Sequence, residues 1–155
     1  HYTQSQISSL GSARYRDAMS SVFTAIIHGD LPGSIIYSDD VCVALLTITP
    51  HTRGHALVVP REEINAWTDA PDDLLAHLTS VAKRIGRAQL AEFGGTRSGL
   101  MIQGYGVDHL HLHVFPTTGI DDFDERARPA ATATELAEVA ELLIARLQLD
   151  GSNGT

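Results

Sequence analysis

Residues 109–114 read His-Leu-His-Leu-His-Val, an unbroken alternation of three histidines with three aliphatic side chains, and no other stretch restricts the fold as tightly. Successive side chains of a β-strand point to opposite faces, so residues at i, i+2 and i+4 share one face. The pattern predicts a strand with His109, His111 and His113 on one surface and Leu110, Leu112 and Val114 packed into the interior. Near neutral pH an imidazole can donate or accept a hydrogen bond, ligate a metal or act as a nucleophile.

Four further strands are legible around it. Residues 35–37 and 41–48 are apolar and largely β-branched or aliphatic, divided by Ser38, Asp39 and Asp40, and read as a hairpin. Pro50 and Gly54 bracket a turn into a third run over 55–60, ended by Pro60. Leu100, Met101 and Ile102 give a fourth strand, Gly104-Tyr105-Gly106 a compressed turn, and the histidine strand is the fifth. Short turns between neighbouring strands imply a largely antiparallel sheet.

Helical periodicity supplies the rest. Phe23, Ile26 and Ile27 recur at helical spacing after Ser21, before Gly29, Pro32 and Gly33 break the pattern. Over 72–92, Leu74, Leu75, Leu78, Val81, Ala82 and Ile85 form one stripe, with Pro71, Asp72 and Asp73 suited to the first turn and Gly94-Gly95 to the stop. Thr132 and Glu135 form a capping-box pattern ahead of Leu136, Val139, Leu143 and Leu147. The class is therefore α+β: a five-stranded antiparallel sheet with flanking helices and a C-terminal helix. Residues 1–20 are expected to be a polar arm with helix near 14–19, 21–116 the core, 117–150 an extension carrying the last helix, and 151–155 a frayed tail.

Composition narrows the function. A chain of 155 residues, 43% hydrophobic, suffices for one domain with a core. Its formal net charge of −8 argues against a broad grip on DNA or RNA, which rests on clustered Lys and Arg, but leaves room for a small anionic ligand. Cys42 is the single cysteine, so no intramolecular disulfide and no cysteine-based zinc knuckle is expected, and a reducing cytoplasm fits best. No apolar run approaches the roughly 18–20 residues that span a bilayer, and neither a membrane association nor a signal peptide is expected.

The residues alone leave three readings of the histidine strand. It could be a solvated face; it could ligate a transition metal through His-x-His; or it could perform nucleophilic phosphoryl chemistry. In the last reading one neutral imidazole attacks phosphorus while its neighbours offset oxygen charge, and the central His111 is the natural attacker. His28, His51 and His77 read as turn or surface histidines and Trp67 as a packing residue.

His109-Leu110-His111-Leu112-His113-Val114-Phe115 resembles the His-φ-His-φ-His-φ-φ signature of the histidine triad (HIT) family. The similarity extends in order through Ser21-Val22-Phe23, residues 35–40, Ile48-Thr49-Pro50 and residues 54–60. The resemblance implies a homodimeric nucleotide hydrolase or transferase. In it His111 attacks the α-phosphorus of a nucleoside 5′-phosphate derivative, and water cleaves the nucleotidyl-histidine. It further implies that His113 contacts phosphate oxygens, that His109 positions the site, that His55 is an additional active-site histidine and that Gln103 bonds near the phosphate. Phe23, Ile26, Leu45 and Ile48 match positions lining the family's nucleoside pocket.

The chain departs from the family pattern at three places. Thr47 stands where many relatives hold the ribose hydroxyls with an aspartate, and a hydroxyl makes one neutral hydrogen bond rather than a charged bidentate one; Asp39 and Asp40 on the neighbouring hairpin read equally as compensating ribose contacts and as turn residues. Gly106 stands where a hydroxyl often faces the leaving group, leaving Tyr105 as the nearest alternative. Ser21 and Thr24 occupy the positions of a zinc-binding CxxC, and Pro60-Arg61-Glu62-Glu63 lacks the histidine that family members carry there. The expectation is thus a hydrolase of nucleoside 5′-phosphoramidates or related nucleotidyl conjugates, purine-preferring, with no metal or other cofactor. A dinucleoside polyphosphate hydrolase or phosphorylase, and a nucleotide-binding regulatory module with weak or lost catalysis, are the alternatives.

Overall fold

The computed structural model describes residues 21–153. In chain order these form α1 (Val22–Ile27), β1 (Ile35–Ser38), β2 (Cys42–Leu46), β3 (Ala56–Pro60), α2 (Asp72–Phe93), β4 (Arg97–Met101), β5 (Leu112–Thr117) and α3 (Ala133–Asn153), with single 3-10 turns at Trp67–Asp69 and Ile120–Phe123. The expected arm, including its helix over 14–19, lies outside the described residues. The strands make one five-stranded sheet in the order β1-β2-β3-β5-β4, every neighbouring pair antiparallel.

Strand alternation divides the interior in two. Ala44, Leu46, Ala56, Val58, Leu112 and Val114 face α2 and α3, where Leu78, Val81, Ile85, Val139, Leu143 and Leu147 complete the larger core. The intervening residues Val43, Leu45, Leu57 and Val59 face the other way and pack with Phe23 and Ile26 of α1 and with Val107. The close seating of α2 on the sheet depends on Gly86, where a Cβ would stand 2.5 Å from Ser98 Oγ. Gln89 of the same helix is fully buried and donates from Nε2 to the carbonyls of Gly54 at 2.7 Å and Val114 at 2.9 Å. It ties α2 to the chain on either side of the site described below.

Several boundaries differ from the sequence pattern. The histidine stretch is only partly in the ladder: β5 begins at Leu112, and the last pairs on its two sides are Val58↔Leu112 and Met101↔His113. The Leu110 amide instead donates to Ile64 O, 2.7 Å, in the segment after β3. The fourth strand starts at Arg97 rather than Leu100 because Gly94 and Gly95, at φ 76° and 130°, turn the chain directly into register with Thr117. The tail expected to fray stays helical to Asn153, with Gly151 alongside Arg84 of α2. The capping box holds as expected: Thr132 N donates to Glu135 Oε2 at 3.0 Å and Glu135 N to Thr132 Oγ1 at 3.1 Å. Trp67 is not a packing residue; it is 50% exposed on its 3-10 turn.

Candidate active site

All three histidines of the alternating stretch are buried, so the solvated-face reading fails. Their hydrogen bonds fix which ring nitrogen carries the proton, because a carbonyl can only accept and an amide can only donate. His111 Nδ1 lies 2.7 Å from His109 O, so Nδ1 is protonated and the lone pair of the neutral ring lies on Nε2. His51 N donates to His55 Nδ1 at 2.9 Å, which places the His55 proton on Nε2; that group lies 3.0 Å from His113 Nδ1 and donates to it. The proton of neutral His113 is consequently on Nε2. Two adjacent imidazoles, 5.0 Å apart between ring centroids, thus differ in kind: His111 offers a lone pair at Nε2, His113 an N–H.

His109 has a different task. Its Nε2–H donates to Pro60 O at 2.7 Å, and its Nδ1 accepts from the Ser21 hydroxyl. Ser21 Oγ also accepts from Thr24 N at 3.0 Å as the N-cap of α1. Glu63 Oε1 takes the Ser21 amide at 2.8 Å and the Thr24 hydroxyl at 2.6 Å. The positions where the family's zinc-binding members carry CxxC and histidine therefore do converge, but as hydroxyls and a carboxylate hydrogen-bonded to one another and to His109. With both ring nitrogens of His109 engaged, a metal held by all three histidines of the strand requires these bonds to break.

Burial sets the charge of the site. Removal from water disfavours the imidazolium. It lowers His113 from the ordinary value to about 3, with the field of His111 adding to the effect. His55 lies well below the ordinary value through burial and then the fields of His113 and His51. His111 and His109 are lowered by burial, against the opposing hydrogen bonds to His109 O and Pro60 O. The four rings are neutral together near pH 7.

The remaining expected site residues fall into three places. Phe23, Ile26 and Leu45 are buried in the histidine-side core, and the Phe23 ring meets His109 and His111 edge-on at 5.7 and 5.0 Å. Ile48 instead lines a 420 Å³ cavity with Pro32, Gly33, Ser34 and Ala131. Thr47 is buried; its amide donates to His55 O at 3.2 Å, and its hydroxyl accepts from Thr49 N at 3.3 Å. Gln103 is half-buried two residues beyond Met101, where β4 ends paired with His113. Gly104 and Gly106 turn this loop at φ 84° and 88°, and Tyr105 between them is 77% exposed.

Three further residues escaped the sequence reading. His51, expected in a turn or at the surface, does lie in the β2–β3 turn, but its side chain is only 4% exposed; its Nδ1 donates to Asp122 O at 2.8 Å, Glu125 lies 3.4 Å from its Nε2, and its amide orients His55. Gln89 holds the peptides next to His55 and His113. Arg128 lines a 430 Å³ cavity with Thr47, His51, Arg53 and His55. His77, half-exposed, bonds Asp39 Oδ2 at 2.7 Å; with Cys42 these form the one group of potential metal-ligating atoms within 4.8 Å of one another among the described residues. Asp39 is already committed there: Oδ1 accepts from the amides of Val41 and Cys42, and Oδ2 from Tyr37 and His77. Burial works against its charge, but these donors outweigh it and hold the carboxyl below the usual range. Of the two readings of Asp39, the structure shows the turn residue.

The sequence model described as HIT domain matches residues 28–120. An uncharacterized HIT-like protein of Mycobacterium tuberculosis is 39% identical over 103 residues, covering 63% of this chain and 72% of that protein. The crystal structure of a zinc-bound histidine triad family protein from Mycobacterium smegmatis is 35% identical, superposes with a TM-score of 0.74 and covers 86% of this chain and 98% of that one. A hypothetical histidine triad nucleotide-binding protein from Sulfolobus tokodaii is 25% identical with a TM-score of 0.73, covering 83% and 92%.

Proposed function

From the premise that this chain belongs to the histidine triad family, we propose that it is a nucleotide hydrolase cleaving nucleoside 5′-phosphoramidates or related nucleotidyl conjugates. The observation that carries this reading is the opposite protonation of neighbouring rings, with a lone pair on His111 Nε2 and a proton on His113 Nε2. A nucleophile needs the first, and charge building on a phosphoryl oxygen needs the second. The Sulfolobus relative's description as nucleotide-binding supports the substrate class.

In the first step the His111 Nε2 lone pair forms a bond to the α-phosphorus while the bond from phosphorus to the leaving nitrogen breaks with its electron pair. His113 Nε2–H donates to a non-bridging oxygen, and Gln103 supports the same group. No hydroxyl stands at Gly106, so solvent water protonates the leaving amine. In the second step water adds to phosphorus, the bond to His111 breaks, and the proton lost by water balances the one taken by the amine. His109 acts through its carbonyl, which fixes the His111 tautomer, and Thr47 offers ribose a neutral contact. The chemistry as proposed needs no metal. The protein is proposed to be a cytoplasmic homodimer with a purine preference; among the described residues no helix is long and apolar enough to cross a membrane.

Mass spectrometry of acid-quenched protein after brief exposure to adenosine 5′-phosphoramidate tests this reading. A nucleotidyl adduct on the peptide containing His111 is expected, with AMP released on longer incubation. Adenosine phosphoramidate is expected to turn over faster than diadenosine polyphosphates. Binding of both without adduct or AMP release would establish the regulatory-module alternative instead.

A further inference from the structure

Arg128 makes a demand that the triad does not answer. Its Nη1 donates to Asp124 O at 2.7 Å, whereas Nη2 is buried with no hydrogen-bond partner among the described residues. A guanidinium keeps its charge throughout the physiological range, and a buried donor without an acceptor destabilises the fold unless something fills the place. Arg128 lines the 430 Å³ cavity between the β2–β3 loop and the start of α3, and also an adjoining 230 Å³ cavity that shares His51 and adds Arg126.

The carboxylates nearby are occupied elsewhere. Glu138 pairs with Arg53 at 3.3 Å, Glu135 closes the α3 capping box through Thr132 N, and Glu125 faces His51. Of the arginines lining the two cavities, Arg53 has a carboxylate partner and Arg128 has the buried nitrogen without one. The larger cavity, at 430 Å³, is within the size range of small-molecule sites.

We propose that this cavity binds an oxyanion, a phosphate group either free or carried by a nucleotide, with Arg128 Nη2 as its principal donor. Planar bidentate recognition of phosphate is what a guanidinium does best. The site adjoins the triad without including it: His55 and His51 line the cavity on one side while His55 Nε2 serves His113 on the other. The field of Arg128 also reaches His55, after burial, His113 and His51. An anion there would reduce that field. The inference stands apart from the hydrolase reading, since it requires neither His111 nor turnover.

The test is an NMR titration of the full chain with inorganic phosphate and, separately, with AMP, on wild type, Arg128→Gln, Arg128→Lys and His111→Ala. Phosphate is expected to shift the amides of Thr52, Arg53 and Ala131. Its affinity is expected to fall by about tenfold or more in Arg128→Gln and to stay unchanged in His111→Ala. Arg128→Lys, which keeps the charge and loses the fork, covers the case in which Arg128→Gln fails to fold and is expected to weaken phosphate binding severalfold. AMP affinity lost together with phosphate affinity identifies a nucleotide phosphate as the occupant; AMP affinity retained in Arg128→Gln while phosphate affinity is lost identifies free phosphate. Unchanged phosphate affinity in the Arg128 variants, shifts confined to residues 103–113, or no saturable binding at millimolar phosphate would each overturn the proposal.

Discussion

On the helix side of the sheet, Leu112 and Val114 meet Leu78, Val81, Ile85 and Leu143; one residue along the same chain, His111 and His113 turn to the opposite side and meet Phe23 and one another. Both sides are buried, and α1 on the histidine side is as apolar as its counterparts on the other. The difference is in what burial requires. Aliphatic side chains need only volume and complementary shape. Each imidazole needs a partner for each nitrogen, because a buried polar group left unpaired costs about 1–3 kcal/mol. The helix side is held by area, and the histidine side by assigned protons.

Adjacent substitutions on the two sides give the largest separable effects. His111→Ala is expected to lower turnover of a nucleoside phosphoramidate by on the order of 10⁴-fold while nucleotide binding persists. Leu112→Ala is expected to destabilise the fold by about 2–5 kcal/mol through lost transfer energy and a residual cavity, with turnover per folded molecule close to wild type. Steady-state kinetics below the melting transition, paired with urea denaturation, check both. Near-wild-type turnover in His111→Ala would remove the nucleophile assignment. Equal loss of turnover in Leu112→Ala would show that the two sides are not separable.

The same contrast explains what the sequence disclosed. The α2 stripe, the Thr132–Glu135 capping box and the histidine alternation are local patterns; the structure realises the first two, and the third as a buried stretch that joins the ladder from Leu112 onward. The family resemblance likewise rests on motifs a few residues long, and it extends to the five-stranded antiparallel sheet. The roles of His51 and Gln89 depend on distant main chain: His51 reaches Asp122 O, 71 positions away, and Gln89 reaches Gly54 and Val114. A polar residue on a helix or in a turn carries no local mark of such a partner. The start of β4 was hidden for another reason. Arg97, Ser98 and Gly99 form an edge strand with little apolar burial, so alternation is weak there and pairing with β5 alone defines it.

Proton bookkeeping on the histidine side also predicts how acid acts on stability. Unfolded histidines titrate near about 6.5, whereas those in the site titrate lower, His113 at about 3. Between these values the unfolded chain binds more protons than the folded one, so stability rises with pH and is lost as pH falls below about 6.5. Each such histidine contributes a slope of up to about 1.4 kcal/mol per pH unit in this window. Asp39, whose carboxyl is held low by its hydrogen bonds, adds its own loss only at lower pH, below about 4. Urea denaturation at intervals between about pH 7.5 and 4.5 should show the decline, and His113→Asn should flatten it by about one proton. A level profile across that range would contradict neutral burial of the four rings.

The smallest effect is expected at Ser21, where one hydroxyl serves both the start of α1 and the histidine strand. It accepts from Thr24 N as a helix cap and donates to His109 Nδ1. Ser21→Ala removes the cap, worth about 1 kcal/mol, and leaves the His109 acceptor buried without its donor, so a loss of about 1–2 kcal/mol is expected. Ser21→Thr keeps an oxygen that can do both and should recover most of it. Ser21→Asp separates the two functions: a carboxylate caps a helix but cannot donate, so His109 must take a second proton to keep the contact. Its titration, followed by NMR of the ring, should move up relative to wild type. An unmoved His109 titration in Ser21→Asp would mean that the hydroxyl serves the helix alone. His109 would then be anchored through Pro60 O and the edge-on contact of Phe23.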